Sequence, residues 1–298
     1  MKNNIRYLLA IDGGGTKTEF ILSDKNLNVL NRILSGSSNP VNIGICQAVS
    51  VLRQGIEEVC SGIDLSEVSA FAGLAGAGSA EIIIEIERLF KELEFGCYKV
   101  GTDADSAVEA SLGGQDGIAL LLGTGIICYY RKDGVLGRIG GRGYMIDKGG
   151  SGYCYGSDVL NAAFEYLDSR GNSKLIFDLV ESRLCKKLDD AVSDIYSGGP
   201  AYVASFAPVV FEAYKRGDDT AEKIIRNNLE ETAKIINTAI SSFEQNKNIV
   251  ICGGLAEQKE IIKEILPEFL SDEVSFDFLK ETISYGAMLI AKQISEGE

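Results

Sequence analysis

Two stretches of the chain share one alternation of apolar runs and polar turns. The first, residues 7–33, reads YLLAID, GGGTKT, EFILSD, KN and LNVLNRI, and the second, residues 118–141, reads IALLL, GTG, IICYYR, KDG and VLGRIGG. Apolar runs of this length between Gly and Asn or Asp turns predict antiparallel strands joined by hairpins. Because Thr16 and Thr124 occupy matching turns, we expect a duplicated domain with two similar sheets.

The segments between the two stretches predict alternating strands and helices. Residues 69–74 form an apolar run typical of a buried strand, and apolar residues recur at helical spacing over 82–93. A short strand is predicted at 98–100, and Asp103 then opens a helix that continues to Leu112. Such an alternation predicts α/β layers.

The second half of the chain is predicted to be mostly helical. Long periodic runs cover residues 205–216 and 220–243. An apolar strand at 249–251 is followed by a helix at 257–265, and the last apolar helix covers 286–294.

These elements divide into two domains. We place the boundary between Leu112 and Gly117, which gives an N-terminal domain of residues 1–114 and a C-terminal domain of residues 115–285. A C-terminal helix, residues 286–298, is expected to pack back on the first domain. No low-complexity linker marks the boundary, so we expect the domains to touch along a cleft.

The composition narrows the chemistry that the chain can carry. It contains no histidine, which excludes Ser-His-Asp and Cys-His nucleophile pairs and histidine-ligated zinc. A general base must therefore be a carboxylate, a lysine, a tyrosine or a thiol.

Charge and cysteine content restrict the partners and the location. Acidic side chains outnumber basic ones by 43 to 29, and the resulting net charge of −14 argues against nucleic acid binding. No apolar run approaches the ~20 residues of a membrane helix, and the short apolar run before Asp12 is not a signal peptide. The seven cysteines show no C-x-x-C spacing, so we expect reduced thiols in a cytoplasmic protein.

A glycine-rich loop follows the first predicted strand. Its backbone N–H groups and hydroxyls can form a concave nest for phosphate oxygens, and Asp12 at the end of the strand can hold Mg²⁺ directly or through water. The loop residues are Gly13, Gly14, Gly15, Thr16, Lys17 and Thr18. Taken alone, a glycine-rich hairpin with a capping Asp explains them equally well.

Other segments make the interpretation more specific. The loop lacks the G-x-x-x-x-G-K-[ST] pattern of P-loop proteins, and a strand-like EFILSD follows it rather than the helix of a dinucleotide-binding fingerprint. A second loop, Gly123-Thr124-Gly125, has the same form as the first. Gly253 and Gly254 follow a further buried strand, where the backbone can approach an adenine. Together these segments predict a nucleotide site.

The combined motifs resemble a known family. The segments LLAIDGGGTKTEF, GLAGAGS, TDADSA, LLGTG, GGRGYMI, GSGYCYG and VICGGL are similar, in order and spacing from about residue 7 to residue 290, to those of the N-acetylglucosamine kinases. That family lies in the benzoyl-CoA-reductase-type ATPase group of the actin-like ATPase and sugar kinase superfamily. The resemblance implies an α/β fold of two actin-like, ribonuclease H-like domains that close on MgATP and a sugar in a cleft between them.

The resemblance also assigns site residues. It implies that Asp103 is the catalytic aspartate and contacts the sugar, that Asn39 contacts the sugar, and that Asp12 lies near Mg²⁺. It assigns ATP binding to both glycine loops and to the adenosine motif at residues 253–254. Since Asp103 and Asp105 both precede a helix, the residues alone leave either one as an N-cap or first-turn acid. The motif favours Asp103 as the base.

The predicted sugar-binding segment departs from the family pattern. The family reads G-G-W-G and then G-D-E-G-S, whereas this chain reads GGRG from Gly140 and DKGGS from Asp147. Two positive charges, Arg142 and Lys148, thus replace an aromatic ring and an acid, and sugar contacts at Gly141, Arg142 and Asp147 are hypotheses. Because arginine can bind a carboxylate bidentately, Arg142 is a candidate for binding the lactyl group of N-acetylmuramic acid. A surface position, or pairing with Asp147, is the alternative.

The sequence therefore predicts an ATP-dependent kinase of an N-acetylated amino sugar. The acceptor is N-acetylglucosamine, N-acetylmuramic acid or both, phosphorylated on the 6-hydroxyl with an Asp base. The alternatives are a glucosamine kinase and a partner-driving ATPase of the acyl-CoA dehydratase or reductase activator type. Those activators carry cysteines for a shared iron–sulfur cluster, and this chain has no close cysteine pair. The predicted partner is a small sugar, without nucleic acid or membrane, and the resemblance is compatible with a homodimer.

Overall fold

The computed structural model describes residues 4–243, 248–271 and 274–297. The described strands are β1 (Tyr7–Gly13), β2 (Lys17–Asp24), β3 (Val29–Gly36), β4 (Val68–Leu74), β5 (Cys97–Gly101), β6 (Gly117–Leu122), β7 (Ile126–Lys132), β8 (Val135–Gly140), β9 (Ile249–Cys252) and β10 (Phe276–Phe278).

The described helices fall between and after these strands. They are α1 (Pro40–Ile43), α2 (Ile45–Val59), α3 (Ala80–Glu92), α4 (Asp103–Leu112), α5 (Gly152–Leu167), α6 (Lys174–Leu184), α7 (Val192–Ser197), α8 (Gly199–Ala204), α9 (Ala207–Lys215), α10 (Asp219–Ile240), α11 (Lys259–Ile265) and α12 (Ile283–Glu296). Short 3₁₀ turns occupy Leu65–Glu67, Asp189–Ala191, Gly254–Gln258 and Leu266–Phe269.

The described strands form two five-stranded sheets of the same topology. The first has the order β3-β2-β1-β4-β5, and the second has the order β8-β7-β6-β9-β10. In each sheet, three strands form an antiparallel meander and two further strands run parallel to the first strand of that meander. This topology confirms the predicted α/β class and the prediction of two similar sheets.

The chain divides into two compact units. The first contains Met1–Gly114 and Leu279–Glu298, and the second contains Gln115–Phe278. The return to the first unit thus begins seven residues earlier than the predicted 286, and its helix already starts at Ile283. Residues 1–3, 244–247, 272–273 and 298, which the domain prediction also covered, lie outside the described residues.

The first sheet is covered on both faces, and β1 shows how the alternation of its residues achieves this. Leu9 and Ile11 join the core formed with α2 and α3, whereas Leu8 and Ala10 join the core formed with α12. All four side chains are fully buried, as expected for a central strand covered on both faces. By the same alternation, Asp12 continues the set that faces α12.

The structure shifts several predicted helix ends in the second unit. α9 begins at Ala207 rather than at 205, with a proline in its first turn, where the missing N–H is tolerated. α10 ends at Ile240 rather than at 243. The predicted helix at 257–265 begins as the 3₁₀ turn Gly254–Gln258 and is α-helical only from Lys259. None of the helices in the described ranges is long and apolar enough to cross a bilayer.

Candidate active site

The parallel strands of the first sheet bring two aspartates to one edge. β1, β4 and β5 lie side by side in parallel, so their carboxyl ends share one edge of the sheet. Asp12 is the penultimate residue of β1, and Asp103 opens α4 shortly after β5. The two carboxylates are close enough to interact electrostatically. The structure thus brings together the predicted Mg²⁺ contact and the predicted base.

The environment of Asp12 opposes its ionisation. Burial, and then the negative charges of Asp103 and Glu19, raise the pKa of Asp12 from 3.8 to about 6. Lys17 and the nearby Ser284 hydroxyl act in the opposite direction and lower this pKa. Because the neighbouring charges are negative, a bound cation would favour the ionised form.

The structure shows different hydrogen bonding for Asp103 and Asp105. Thr102 caps α4: its Oγ1 accepts the N–H of Asp105 at 3.3 Å, and its own N–H donates to Asp105 Oδ2 at 2.7 Å, which together form a capping box. Asp103 accepts the N–H of Ala104 at 3.0 Å and stays exposed, although partial desolvation at the sheet edge raises its pKa. Of the two acids that the residues alone left open, Asp105 is therefore the one that belongs to the capping box.

Two residues of the predicted phosphate loop have structural roles. The Thr18 side chain is fully buried, and its hydroxyl lies 2.8 Å from both the Gly36 carbonyl and Ser38 Oγ. A side chain at Gly13 would collide with Ser38 and Leu74. The Thr18 hydroxyl is therefore not available to ATP, which corrects its place among the predicted ATP contacts, and Gly13 is required for close packing.

The tip of the first loop presents donors at the surface. The Gly14 N–H donates to the Lys17 carbonyl at 2.9 Å and closes a turn whose central residues, Gly15 and Thr16, are exposed. Lys17 is also exposed and brings a positive charge near Asp12. Backbone amides, a hydroxyl and an ammonium group in one turn suit an anion such as phosphate.

Asn39 lies near this turn and also has a structural role. It caps α1, where Asn39 Oδ1 accepts the N–H of Val41 at 2.9 Å. Its amide nitrogen lies 4.0 Å from the position that a Cβ would take at Gly15. The cap uses the oxygen of the amide, so the NH₂ group near the loop can donate to a ligand hydroxyl.

In the second unit, two predicted ATP-binding segments line one cavity of about 490 Å³. Gly123 and Thr124 contribute to the cavity from the second loop, and Gly254 contributes from the adenosine motif. Gly253 has a φ of 98°, and a side chain there would collide with the backbone of Leu122 at the end of β6. Glycine therefore allows the ends of β6 and β9 to lie close enough for both segments to share the cavity.

The second loop is fixed by the first turn of α5. The Gly152 N–H donates to the Gly123 carbonyl at 2.8 Å, and the Tyr153 N–H donates to the Thr124 carbonyl at 3.0 Å. Thr124 and Gly125 themselves are exposed. The helix therefore holds the carbonyls of the loop, while its tip stays at the surface.

The other wall of this cavity is formed by residues that the sequence motifs do not predict. It includes Arg183, Pro208 and Glu257, from α6, α9 and the 3₁₀ turn after β9. Arg183 lies in the last turn of α6, far along the chain from both glycine segments. Only the packing of the helices brings it to the cavity, and no local sequence signal marks it.

A second cavity, of about 390 Å³, lies at the predicted sugar-binding segment. Its described lining includes Asp147 and Lys148 but not Arg142, which is exposed. Asp147 Oδ2 accepts the backbone N–H groups of Arg142 and Gly143, the latter at 2.9 Å. Asp147 therefore holds the loop through its backbone, and Lys148 rather than Arg142 brings a positive charge to the cavity.

Two further acids line this cavity, and each has a partner. Asp158 Oδ2 accepts from Asn228 Nδ2 at 2.7 Å, and burial raises the pKa of Asp158. Glu231 Oε1 accepts from Lys234 Nζ at 2.6 Å. Lys148 forms no ion pair within residues 4–243, 248–271 and 274–297. Its ammonium group is therefore available to a ligand.

Gly141, another predicted sugar contact, is required by the shape of the loop. Its φ is 70°, and a side chain at this position would collide with Ile127 of β7. Gly149 is similar, with a φ of 74° and with Glu231 in the space that a side chain would need. Both glycines allow the segment to turn tightly against its neighbours, and the backbone of Gly141 stays a predicted sugar contact.

The described residues suit MgATP in two respects. A Cβ at Gly123, Gly125 or Gly254 would meet no atom of the described residues within 4 Å, so these positions border open space where a nucleotide can lie. Mg²⁺ is commonly held by one or two carboxylates together with phosphate oxygens. Asp12, with Asp103 nearby, supplies such carboxylates.

Comparison with known proteins points to one family. The sequence profile of the BadF/BadG/BcrA/BcrD ATPase family matches residues 9–291. An N-acetylmuramic acid/N-acetylglucosamine kinase of Clostridium acetobutylicum is 31% identical, over 97% of this chain and 99% of its own. An N-acetyl-D-glucosamine kinase of Dictyostelium discoideum is 29% identical, over 95% of this chain and 97% of its own.

A solved structure has the same fold. It is from Chromobacterium violaceum and is provisionally called an N-acetylglucosamine kinase. The TM-score is 0.80 at 25% identity, over 97% of this chain and 100% of the other. This similarity confirms the fold that the motifs predicted.

Proposed function

The chain belongs to the BadF/BadG/BcrA/BcrD ATPase family, and we propose that it uses ATP to phosphorylate the 6-hydroxyl of an N-acetylated amino sugar. It is a sugar kinase. The acceptor that we propose is N-acetylglucosamine, N-acetylmuramic acid or both, and we propose a cytoplasmic location because no disulfide joins the described cysteines.

One observation carries the proposal about the chemistry. Asp12 and Asp103 meet at one sheet edge beside a glycine turn, and the two acids at the start of α4, Asp103 and Asp105, have different roles. Asp105 is occupied by the helix cap, whereas the neighbouring Asp103 is exposed and can reach a ligand. In a chain without histidine, an exposed aspartate next to an anion-binding turn is a suitable general base.

Asp103 would accept the proton of the sugar hydroxyl. As the bond from O6 to the γ-phosphorus forms, the bond from that phosphorus to the β–γ bridging oxygen breaks and ADP leaves. The O6 proton passes to a carboxylate oxygen of Asp103. The raised pKa of Asp103 makes it a better proton acceptor than an ordinary aspartate, although it must still be ionised at neutral pH.

The remaining assignments follow the geometry of each unit. In the first unit, Asp12 would hold Mg²⁺, which neutralises phosphate charge when bound, and the exposed turn with Thr16 and Lys17 would bind phosphate oxygens. The Asn39 amide would donate to a sugar hydroxyl. In the second unit, the loop at Thr124 would bind phosphate, and Gly254 would border the adenosine.

The cavity of the sugar-binding segment supports an acceptor with an acidic substituent. Lys148 lines it without an ion pair in the described chain, whereas its acids Asp147, Asp158 and Glu231 already have partners. We therefore assign the carboxylate of a lactyl ether, as in N-acetylmuramic acid, to Lys148. This replaces the hypothesis that assigned it to Arg142, because Arg142 lies outside the described lining of the cavity.

A panel of acceptors tests the proposed function. ADP release is measured with MgATP and either N-acetylglucosamine, N-acetylmuramic acid, glucosamine, glucose or no sugar, and the phosphorylated position is identified by nuclear magnetic resonance. We expect strong turnover with the N-acetylated sugars and phosphate on O6.

Three outcomes would contradict parts of the proposal. Preference for glucosamine would make the chain a glucosamine kinase. Phosphate on a hydroxyl other than O6 would refute the assigned position. Equal ADP release with and without sugar would favour the partner-driving ATPase.

A further inference from the structure

Glu19 is a buried acid for which the proposed reaction has no role. It lies on β2 directly opposite Asp12 in the register of the β1–β2 pair, and it is 8% exposed. Directly opposed residues of neighbouring strands place their side chains on the same face, with Cβ atoms about 5 Å apart. Glu19 therefore shares the face that α12 covers with the predicted metal contact.

Both carboxylate oxygens of Glu19 accept hydrogen bonds. Arg32 of β3 donates to Glu19 Oε1 from Nε at 2.7 Å and also from Nη2. The hydroxyl of Ser284, in the first turn of α12, donates to Glu19 Oε2. Ser284 is 2% exposed, so water does not compete for this bond. Glu19 thus fixes a hydroxyl group that comes from the far end of the chain.

The same Ser284 hydroxyl lies within reach of Asp12, whose pKa it lowers. A hydroxyl has one proton to donate, so Ser284 cannot donate to both acids at once. While Ser284 donates to Glu19, the oxygens of Asp12 are left for another ligand.

Stability alone does not explain an acid at position 19. A buried carboxylate beside a second carboxylate costs desolvation and repulsion, even when it is paired. The matching position in the hairpin of the second unit, one step back from the turn, is Ile127. The acid therefore occurs in the hairpin that contains Asp12 and not in the other one. Its charge attracts any cation that Asp12 binds.

We propose that Glu19 is a positioning residue for the cation of the MgATP complex, because it accepts the single proton of the Ser284 hydroxyl, which Asp12 would otherwise accept, and adds a fixed negative charge next to Asp12. This inference rests on the proposed function, since MgATP is the ligand that Glu19 would serve. Glu19 does not touch the reacting atoms and acts through Asp12.

The substitution Glu19→Gln tests the contribution of the charge, because glutamine keeps the size and an oxygen acceptor. The matched control is Glu92→Gln, which removes the acid of the Arg53–Glu92 pair (2.8 Å) at the surface of the same unit. Mn²⁺ affinity of the ADP complex is measured by electron paramagnetic resonance, together with the Mg²⁺ activation constant and Tm. We expect Glu19→Gln to weaken Mn²⁺ binding about tenfold and to leave the sugar KM unchanged, whereas the control matches the native protein.

The substitution Arg32→Gln gives a prediction of the opposite sign. The Arg32 side chain is 55% exposed, so its loss is tolerated by the fold. Without its guanidinium, the charge of Glu19 is less neutralised, and Mn²⁺ binding should become about two- to threefold tighter while Tm falls. A purely structural ion pair would lower Tm without tightening the binding of Mn²⁺. This variant decides the question if Glu19→Gln fails to fold.

Two results would overturn the proposal: native Mn²⁺ affinity in Glu19→Gln, or Mn²⁺ binding in Arg32→Gln that is no tighter than in the native protein. Failure of the proposed function is distinguishable, because the native protein would then bind Mn²⁺ and ADP without sugar-dependent ADP release. The comparison of Mn²⁺ affinities would still judge Glu19 in that case.

Discussion

The two units build the same sheet but carry different side chains in the first hairpin of each. One step back from the turn, the paired residues are Asp12 and Glu19 in the first unit and Leu121 and Ile127 in the second. The strand order and directions are otherwise the same. The first hairpin thus carries a half-buried and a buried acid, and the second carries apolar side chains.

This difference separates two ways of binding a phosphate. In the first unit, the acids repel an anion, so we expect phosphate binding there to depend on a cation and on Lys17. In the second unit, the loop has no acid at the paired position, and neutral groups of the backbone and Thr124 can bind the anion directly. Substitutions in the first hairpin should therefore alter metal dependence, and those in the second should alter nucleotide affinity.

The largest expected effect is the loss of the base in the first unit. Asp103→Asn keeps the shape of the side chain but cannot accept the sugar proton, so we expect kcat to fall about 10³-fold. The KM for ATP should change little. The measurement is steady-state ADP release with the preferred sugar.

The neighbouring acid provides the contrast for this variant. Asp105→Asn weakens the capping box with Thr102, so we expect a loss of about 1 kcal/mol in unfolding free energy with most of kcat retained. If Asp105→Asn lost as much kcat as Asp103→Asn, the separation of cap and base would be wrong.

The next effect should show that the Asp12 carboxylate lowers the unfolding free energy of the metal-free protein while it provides a contact for the metal. Its pKa of about 6 lies above the ordinary value of 3.8, so its ionisation opposes folding. The stability that the protonated form contributes is fully present below about pH 3.8 and is lost as the pH rises through about 6. Asp12→Asn should therefore raise the unfolding free energy at pH 7.5 by about 1–3 kcal/mol, while kcat falls about 10²-fold.

Urea unfolding of the metal-free protein checks this prediction at two pH values. The gain from Asp12→Asn should be present at pH 7.5 and absent below about pH 4, where Asp12 itself is protonated. A variant that is less stable than the native protein at pH 7.5 would show that the Asp12 carboxylate stabilises the fold.

The glycines of the two loops should differ in a smaller but separable way. Gly13→Ala would collide with Ser38 and Leu74, so we expect a loss of about 1–3 kcal/mol in unfolding free energy. Gly123→Ala would meet no described atom and would project into open space, so we expect a native Tm and a roughly tenfold higher KM for ATP. A native KM for ATP in Gly123→Ala would remove the second loop from the nucleotide site.

Local patterns were sufficient to predict the sheets but not the details of the site. The hairpins followed from alternation and turn residues, which act over a few positions. Thr18 was misassigned because a hydroxyl in a glycine loop has the same sequence signal whether it points at a ligand or at Ser38. Arg183 was missed because the packing of distant helices brings it to the cavity. Such contacts depend on tertiary structure, which a local motif does not encode.

The predicted sugar-binding segment also shows that a local motif does not determine which side chain faces a cavity. Its sequence offers two cations, and the backbone decides which one faces the cavity. Gly140, Gly141 and Gly143 all have positive φ, and Asp147 accepts the Arg142 N–H at this turn. The turn leaves Arg142 exposed and Lys148 in the lining of the cavity. A substitution at each position can test this choice.

The smallest expected effect concerns the acceptor. Lys148→Ala should lower kcat/KM for N-acetylmuramic acid about fivefold more than for N-acetylglucosamine, the size expected for an ion pair near the surface. Arg142→Ala should lower both by the same factor, because Arg142 lies outside the described lining of the cavity. Lys223→Ala, an exposed lysine of α10, controls for the loss of one charge in the same unit.

The ratio of kcat/KM for N-acetylmuramic acid to kcat/KM for N-acetylglucosamine is the informative quantity, because both sugars share the ring, the N-acetyl group and the 6-hydroxyl. A general loss of stability or of ATP binding would lower both rates and leave their ratio unchanged. A selective loss of kcat/KM for N-acetylmuramic acid in Arg142→Ala would mean that Arg142 binds the lactyl carboxylate. The loop would then have to turn Arg142 toward the sugar. An unchanged ratio in both variants would mean that neither cation contacts the lactyl carboxylate. The charged segment would then contribute to the second unit only through its backbone.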